Sequence, residues 1–181
     1  VNPTQFNNKK DFKRYPRNIK NDLSKLRKLY VDFVYIPTKS EVYNFKRKKK
    51  IKIKNKDNVL CAKFRKGHFE GVIDVMGRLV ENIKPQKIFM GEKDFQQLFL
   101  IKKYLSKKHK VNVINCSTIR DKNKIALSTR NKLLNKESYA KASLIAKYLL
   151  NIKKKIKINN KNLFFLTKEI NKKLENSYKI K

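Results

Sequence analysis

Lys87-Ile88-Phe89-Met90-Gly91-Glu92-Lys93-Asp94-Phe95-Gln96-Gln97-Leu98 is the stretch that decides the fold. Lys87 to Met90 reads as a short strand, and Gly91 breaks it. Phe95, Leu98, Phe99, Ile101 and Leu105 then continue as a helix. Val111, Val113 and Ile114 form the next strand. A strand, a helix and a second strand in this order read as a crossover in a parallel sheet.

The same alternation extends toward the start of the chain. Val72, Val75, Met76, Leu79, Val80 and Ile83 lie on one helical face, and Pro85 ends that helix. Ile19, Leu23, Leu26 and Tyr30 are spaced for another helix, and Val31 to Ile36 reads as a short apolar strand stopped by Pro37. Residues 39–58 are polar and Lys-rich, with weak alternation at Ile51 and Ile53. They read as an excursion or a short edge hairpin outside the core. The fold class is therefore α/β with a parallel sheet. Ser117 to Arg130 has no periodicity and reads as a functional loop. Two helical segments follow, over 136–150 and 162–176, and they no longer alternate with strands. They read as the start of a second, smaller domain. The expected division is 1–118 and 119–181.

Hydrophobic residues make up 40% of the 181, enough for a core, and no apolar run is long enough to span a membrane. The formal net charge is +34, carried by 40 Lys and 8 Arg. Geometric readout of phosphates and bases favours Arg forks, so this composition argues against a specific nucleic-acid groove. Lys is spread along the chain with abundant Asn and Ile, the mark of an A/T-rich genome filling tolerant surface positions. A basic nucleic-acid-binding protein stays as a second class of reading, and it requires the cations to gather on one face with aromatics between them. Cys61 and Cys116 form no C-x-x-C pair, and two unpaired thiols fit a reducing cytoplasm. Cys116 follows an apolar alternation and reads as a buried thiol. The two histidines, His68 and His109, are too few for a multi-histidine metal site.

Four stretches can carry chemistry. Gly91-Glu92-Lys93-Asp94 follows a strand and opens a helix, where ligands sit in open α/β sheets and where free N–H groups favour an anion. Lys93 can neutralise a phosphate and Asp94 can accept from ribose hydroxyls, although a turn and a capped surface helix explain the same letters. Gln96 and Gln97 are polar on an otherwise apolar helix, so one of them faces the core or a cleft. Leu127-Ser128-Thr129-Arg130-Asn131 offers two hydroxyls and a guanidinium fork to a triphosphate. An N-cap is the alternative role, but Asn135 can fill it. Asn2-Pro3-Thr4-Gln5-Phe6 makes a polar lip or a plain loop. In Arg65-Lys66-Gly67-His68-Phe69-Glu70-Gly71-Val72, a structural histidine is the plainer reading.

In N-P-T-Q-F (2–6), Y-P-R (15–17), K-G-H-F-E-G-V (66–72), G-E-K-D-F-Q-Q-L (91–98) and A-L-S-T-R-N (126–131), the chain resembles the pantoate–β-alanine ligases. The likeness runs over residues 1 to about 135 and weakens in the tail. It implies a Rossmann-like nucleotidyltransferase domain, here without its N-terminal part, followed by part of a smaller C-terminal lid domain. It implies ATP-dependent condensation of pantoate with β-alanine through a pantoyl adenylate, with Mg2+ accompanying ATP. A cytoplasmic homodimer is implied as well, with no membrane and no specific nucleic-acid partner.

By motif, Gln5 and Gln97 resemble the pantoate-binding glutamines, and Gln5 also lies where β-alanine approaches. Gly91, Glu92, Lys93 and Asp94 resemble the ATP-binding tetrad. Ile119 resembles the residue that holds adenine through its backbone, and Leu127, Ser128, Thr129 and Arg130 resemble the second phosphate-binding stretch. Lys93, Ser128 and Arg130 would neutralise charge at the reacting phosphorus. The family's P-T-M-G-x-L-H-x-G-H segment does not occur in this chain, and neither His68 nor His109 matches it. An upstream segment is therefore expected before Val1, and the 181 residues alone are expected to be inactive or nearly so. The metal ligands stay open: Asp22 is the one acidic residue at the family's first-helix position. A different adenylyltransferase of the same superfamily is the alternative should Gln5 and Gln97 not line the substrate pocket.

Overall fold

The computed structural model describes residues 2, 6, 9–45, 51–158 and 163–178. It divides into two compact units, Val1–Ser117 and Thr118–Lys181.

The first unit is built on a β-α-β crossover. Strands β1 (Lys87–Gly91) and β2 (Asn112–Cys116) pair in parallel, with Lys87 opposite Asn112 and Gly91 opposite Cys116. Before β1 the chain forms helices α1 (Lys9–Arg14), α2 (Ile19–Lys28), α3 (Lys39–Val42), α4 (Cys61–Phe64) and α5 (His68–Ile83). Helix α6 (Phe95–His109) joins the two strands. This is an α/β, Rossmann-like arrangement.

Helices α5 and α6 pack together and supply most of the core. Phe69, Val72, Ile73, Leu98, Leu100, Ile101, Leu105 and Val113 form one buried cluster with Ala62, and Met76, Met90 and Tyr104 pack against it. Leu98, Ile101 and Leu105 recur at helical spacing, which turns one stripe of α6 inward. Helix α5 ends where Lys84 turns left-handed (φ 51°), just before Pro85. It buries more than the single face read from its apolar spacing, because Arg78 is inside as well. The guanidinium lies 3.0 Å from Asp74 and donates to the Phe45 carbonyl at 2.9 Å, between the rings of Tyr43 and Phe45. A buried cation needs such partners.

Three expectations are corrected here. Val31 to Ile36 is not a strand: the segment is exposed, bends at Asp32 and pairs with neither β1 nor β2 among the described residues. Among the described residues of 39–58 there is no strand, and several contribute to the core. Val42 is buried on α3, which Thr38 and Glu41 open with a capping box. Ile51 and Ile53 pack against the core cluster. Cys116 is exposed, because the apolar alternation of β2 stops at Ile114 and the strand ends in the open.

In the second unit, α7 (Lys136–Ile158) and α8 (Leu163–Tyr178) are the two helices of the tail. Asn135 caps α7, its side chain accepting from the Ser138 N–H at 2.8 Å. Ahead of α7 the chain makes a tight hairpin, closed by an antiparallel bridge between Arg120 and Ala126. A 3-10 turn over Thr129–Leu133 follows it.

Candidate active site

The carboxyl end of the parallel pair falls at Gly91 and Cys116. Glu92–Asp94 form a 3-10 turn there, and α6 starts at Phe95. Gly91 has ordinary extended angles (φ −72°, ψ 132°), and a Cβ placed on it would meet nothing within 4 Å. Neither the backbone nor the packing of the described residues therefore calls for glycine, and the space in front of it is open. Asp94 does not cap α6 with its side chain. Its carboxylate lies 3.9 Å from the Lys93 ammonium, and both are exposed, so the pair is loose and screened by water. The uncapped N–H groups of α6 and the Lys93 ammonium can meet an anion at this strand end, with the Glu92 and Asp94 carboxylates beside them.

The adjacent glutamines divide. Gln96 donates from Nε2 to the Val59 carbonyl at 2.7 Å, and its Oε1 is buried without a partner among the described residues. It ties the chain before α4 onto α6. Gln97 is half-buried and makes no hydrogen bond among the described residues, so its amide is available.

The 51–60 segment runs along α6 toward this point. The Lys54 N–H donates to the Tyr104 hydroxyl at 2.7 Å, and the Tyr104 hydroxyl donates to Asp57 at 2.8 Å. Lys103 makes a short ion pair with the buried Asp57 carboxylate. The Lys103 hydrogen bond holds the Asp57 carboxyl below its ordinary range, against the opposing effect of burial, and Tyr104 adds to it. Burial, chiefly, pushes the Tyr104 hydroxyl up. These anchors carry no signal in the sequence.

In the second unit, Ile119 and Leu127 are brought together at the mouth of the hairpin, where the Leu127 N–H donates to the Ile119 carbonyl at 3.0 Å. Ser128 accepts from the Arg130 N–H at 3.3 Å, so its hydroxyl caps the 3-10 turn that carries Thr129 and Arg130. That is a structural role for Ser128 beyond the N-cap weighed for α7. Asn131 donates to the Ala126 carbonyl at 3.0 Å, fastening the turn to the returning arm of the hairpin. The hairpin and α7 border a cleft of about 680 Å³ lined by Arg120, Lys124, Lys147 and Lys154, a surface that attracts anions.

Asp121 is the centre of this hairpin. Its carboxylate accepts from the backbone N–H groups of Asn123 at 2.9 Å and Ile125 at 3.0 Å, and takes a short hydrogen bond from the Tyr139 hydroxyl on α7. The Tyr139 bond, above all, holds the Asp121 carboxyl below its ordinary range.

Gln5 lies outside the described residues. Of the same motif, Asn2 accepts from the Tyr43 hydroxyl at 3.0 Å, and Phe6 packs edge-on to Phe12 and Tyr15. His68 opens α5, buried, with its ring edge against Phe69 at 4.8 Å. Asp22 is exposed on α2, and no trio of metal-binding side chains occurs among the described residues.

A family model for pantoate-beta-alanine ligase matches residues 1–180. The chain belongs to this family. The match takes in the helical tail as well, so the likeness does not stop near residue 135. A pantothenate synthetase of Flavobacterium psychrophilum is 36% identical, over 97% of this chain and 63% of that protein. One of Helicobacter acinonychis is 38% identical, over 98% of this chain and 67% of that protein. The solved pantoate-beta-alanine ligase from Francisella tularensis, complexed with beta-gamma ATP and beta-alanine, superposes with a TM-score of 0.74 at 35% identity, covering 95% of this chain and 64% of that one. Pantothenate synthetase from Thermus thermophilus superposes with a TM-score of 0.85 at 28% identity, covering 96% and 63%. The chain thus spans about two thirds of the length of these family members.

Proposed function

We propose that the protein condenses pantoate with β-alanine at the expense of ATP. A pantoate carboxylate oxygen attacks the α-phosphorus, and the bond to pyrophosphate breaks. The β-alanine amine then attacks the acyl carbon of the adenylate, AMP leaves, and the amine proton passes to solvent. The observation that carries this reading is the Gly91 turn. An open, uncapped helix start stands at the end of a parallel strand, with Lys93 on it and the free Gln97 amide in the next turn of chain.

In this reading Gly91, Glu92, Lys93 and Asp94 bind ATP, with Lys93 against the phosphates and Asp94 against the ribose. Ile119 holds adenine through its backbone, and Leu127, Ser128, Thr129 and Arg130 take the phosphates. Gln97 and Gln5 hold pantoate, and Gln5 also meets β-alanine. Charge neutralisation at phosphorus falls to Lys93, Ser128 and Arg130. Residues 1–118 serve as the ATP- and pantoate-binding domain and 119–181 as the beginning of the lid. Magnesium enters with the triphosphate. The described residues offer it no acidic cage, and no step is assigned to a protein-held metal. No helix among the described residues is long and apolar enough to cross a membrane. The free thiols of Cys61 and Cys116 suit the reducing cytoplasm, where we place the enzyme. A homodimer completes the proposal.

The test is pantoate-dependent ATP–pyrophosphate exchange in the full-length protein. Lys93→Ala should lower exchange about 100-fold or more, the scale of losing one charge-stabilising group. Its unfolding midpoint should stay put, because the exposed Lys93–Asp94 pair adds little to stability. Wild-type exchange rates in that variant would remove Lys93 from the phosphates.

A further inference from the structure

We propose that Asp121, gripped by Tyr139, is a positioning residue for the nucleotide. It acts by fixing the distance between the Ile119 backbone and the Ser128–Arg130 turn. The proposal rests on the assignment of those two stretches to ATP, and it concerns a residue that touches neither.

The hairpin from Ile119 to Leu127 has almost no apolar support of its own. Ile125 is its one buried hydrophobic residue, while Ile119 and Leu127 are exposed. Its shape is therefore set by hydrogen bonds. Three of these are backbone bonds: Leu127 N–H to the Ile119 carbonyl, Asp121 N–H to the Ile125 carbonyl and Lys124 N–H to the Asp121 carbonyl. The tip is held by one carboxylate, which satisfies the Asn123 and Ile125 N–H groups at once. Charge-assisted bonds of this kind are the strong ones.

The same carboxylate connects the tip to α7. Tyr139 donates to it, and one turn later on α7 Ser143 donates to the Asn123 carbonyl at 2.8 Å. Arg120 closes the other side of the turn on the Lys124 carbonyl at 3.0 Å. Downstream, Asn131 holds Ala126 and Ser128 holds Arg130. Every segment from Ile119 to Asn131 is thus part of one hydrogen-bonded object. Among the described residues, Asp121 is the only side chain in it that joins the tip, the returning arm and the helix. Removing it leaves the arms joined by their backbone bonds alone and loosens the tip from α7, so the spacing of the arms is held less tightly, while the core cluster of the first unit contains no residue of the hairpin.

The experiment uses the full-length protein and three variants: Asp121→Ala, Asp121→Asn and Tyr139→Phe. ATP affinity is titrated by calorimetry, and exchange kinetics give KM for ATP and for pantoate separately. Asp121→Ala should weaken ATP binding about tenfold, and Tyr139→Phe roughly threefold, as expected for losing hydrogen bonds to a charged group. Asp121→Asn, which still accepts from the two N–H groups, should recover most of the loss. KM for pantoate should change less than about twofold, because the lost bonds all lie on the nucleotide's side of the reaction. ATP affinity unchanged in Asp121→Ala and Tyr139→Phe overturns the proposal. So does a parallel rise in both KM values with a lowered unfolding midpoint, which marks general destabilisation. Should Asp121→Ala fail to fold, Tyr139→Phe decides. A wild type that binds ATP yet shows no pantoate-dependent exchange defeats the ligase reading instead, and the ATP titrations alone then judge Asp121.

Discussion

Leu60 holds φ 50° and ψ −130°, a combination that glycine takes freely and a Cβ resists. The Ala62 N–H donates to the Val59 carbonyl across it at 3.1 Å, so Leu60 sits at the second position of a II′-type turn. Its side chain is 70% exposed and contributes little packing in return. The strain falls beside the carbonyl that receives Gln96, which means that a contorted turn is held in place by a glutamine of the candidate site. Leu60→Gly should therefore raise stability by about 1 kcal/mol, the left-handed penalty less the entropy a glycine adds to the unfolded chain. Thermal unfolding reads it directly, and a lowered midpoint would show that the leucine side chain matters more than its backbone. Gln96 itself explains why two consecutive glutamines can stand on an apolar helix: one is occupied by the protein and the other is left over.

At the scale of elements, the 51–60 segment is fastened to α6 by polar bonds between residues 37 to 50 positions apart. Asp57 is the main fastening. Its folded pKa lies below the usual 3.8, so the stabilisation is fully present above pH 3.8 and is lost as pH falls through the folded value. Asp57→Asn should cost about 2 kcal/mol in urea unfolding at neutral pH, and the gap to wild type should narrow as the carboxylate is protonated in acid below pH 3.8. A gap that persists in acid would mean that packing, not charge, holds the segment. These bonds also explain where sequence reading stops. The two strands, α5, α6 and the Gly91 turn are legible because apolar spacing, Pro85 and Gly91 are local signals. The fastening of residues 51–60 is not, because Asp57, Lys103 and Tyr104 have no periodicity and meet only in three dimensions. Val31–Ile36 fails in the opposite way: its letters suit a strand, but a strand is made by pairing with residues distant in sequence, which no local pattern supplies. In the candidate site, Lys93, Gln97 and Arg130 stand in recognisable motifs. Asp121 does not, since a carboxylate in a Lys- and Asn-rich loop looks like any solvated surface group until Tyr139 is seen beside it.

Across the whole molecule, a formal charge of +34 coexists with an apolar run that nothing described covers. Tyr30 and Phe33 are 91% and 92% exposed, and Val31, Val34, Tyr35 and Ile36 are exposed with them. Lys is absent from α5, the most buried helix, which carries Arg78 in a fixed set of partners. That distribution fits charge filling tolerant surface more than charge shaping a binding groove. The two features oppose each other in solution. Like charge keeps copies of the 181-residue chain apart, while the apolar run rewards their association. Salt weakens the first and not the second, since the screening length falls to about 10 Å at 0.1 M. Light scattering of the 181-residue chain should therefore show monomers at about 0.02 M salt and growing association at about 0.3 M, the reverse of a charge-driven complex. The double substitution Tyr30→Ser and Phe33→Ser should abolish that growth without disturbing the core, because neither side chain is buried. Association that weakens with salt, or that survives the double substitution, would place the contact elsewhere on the molecule.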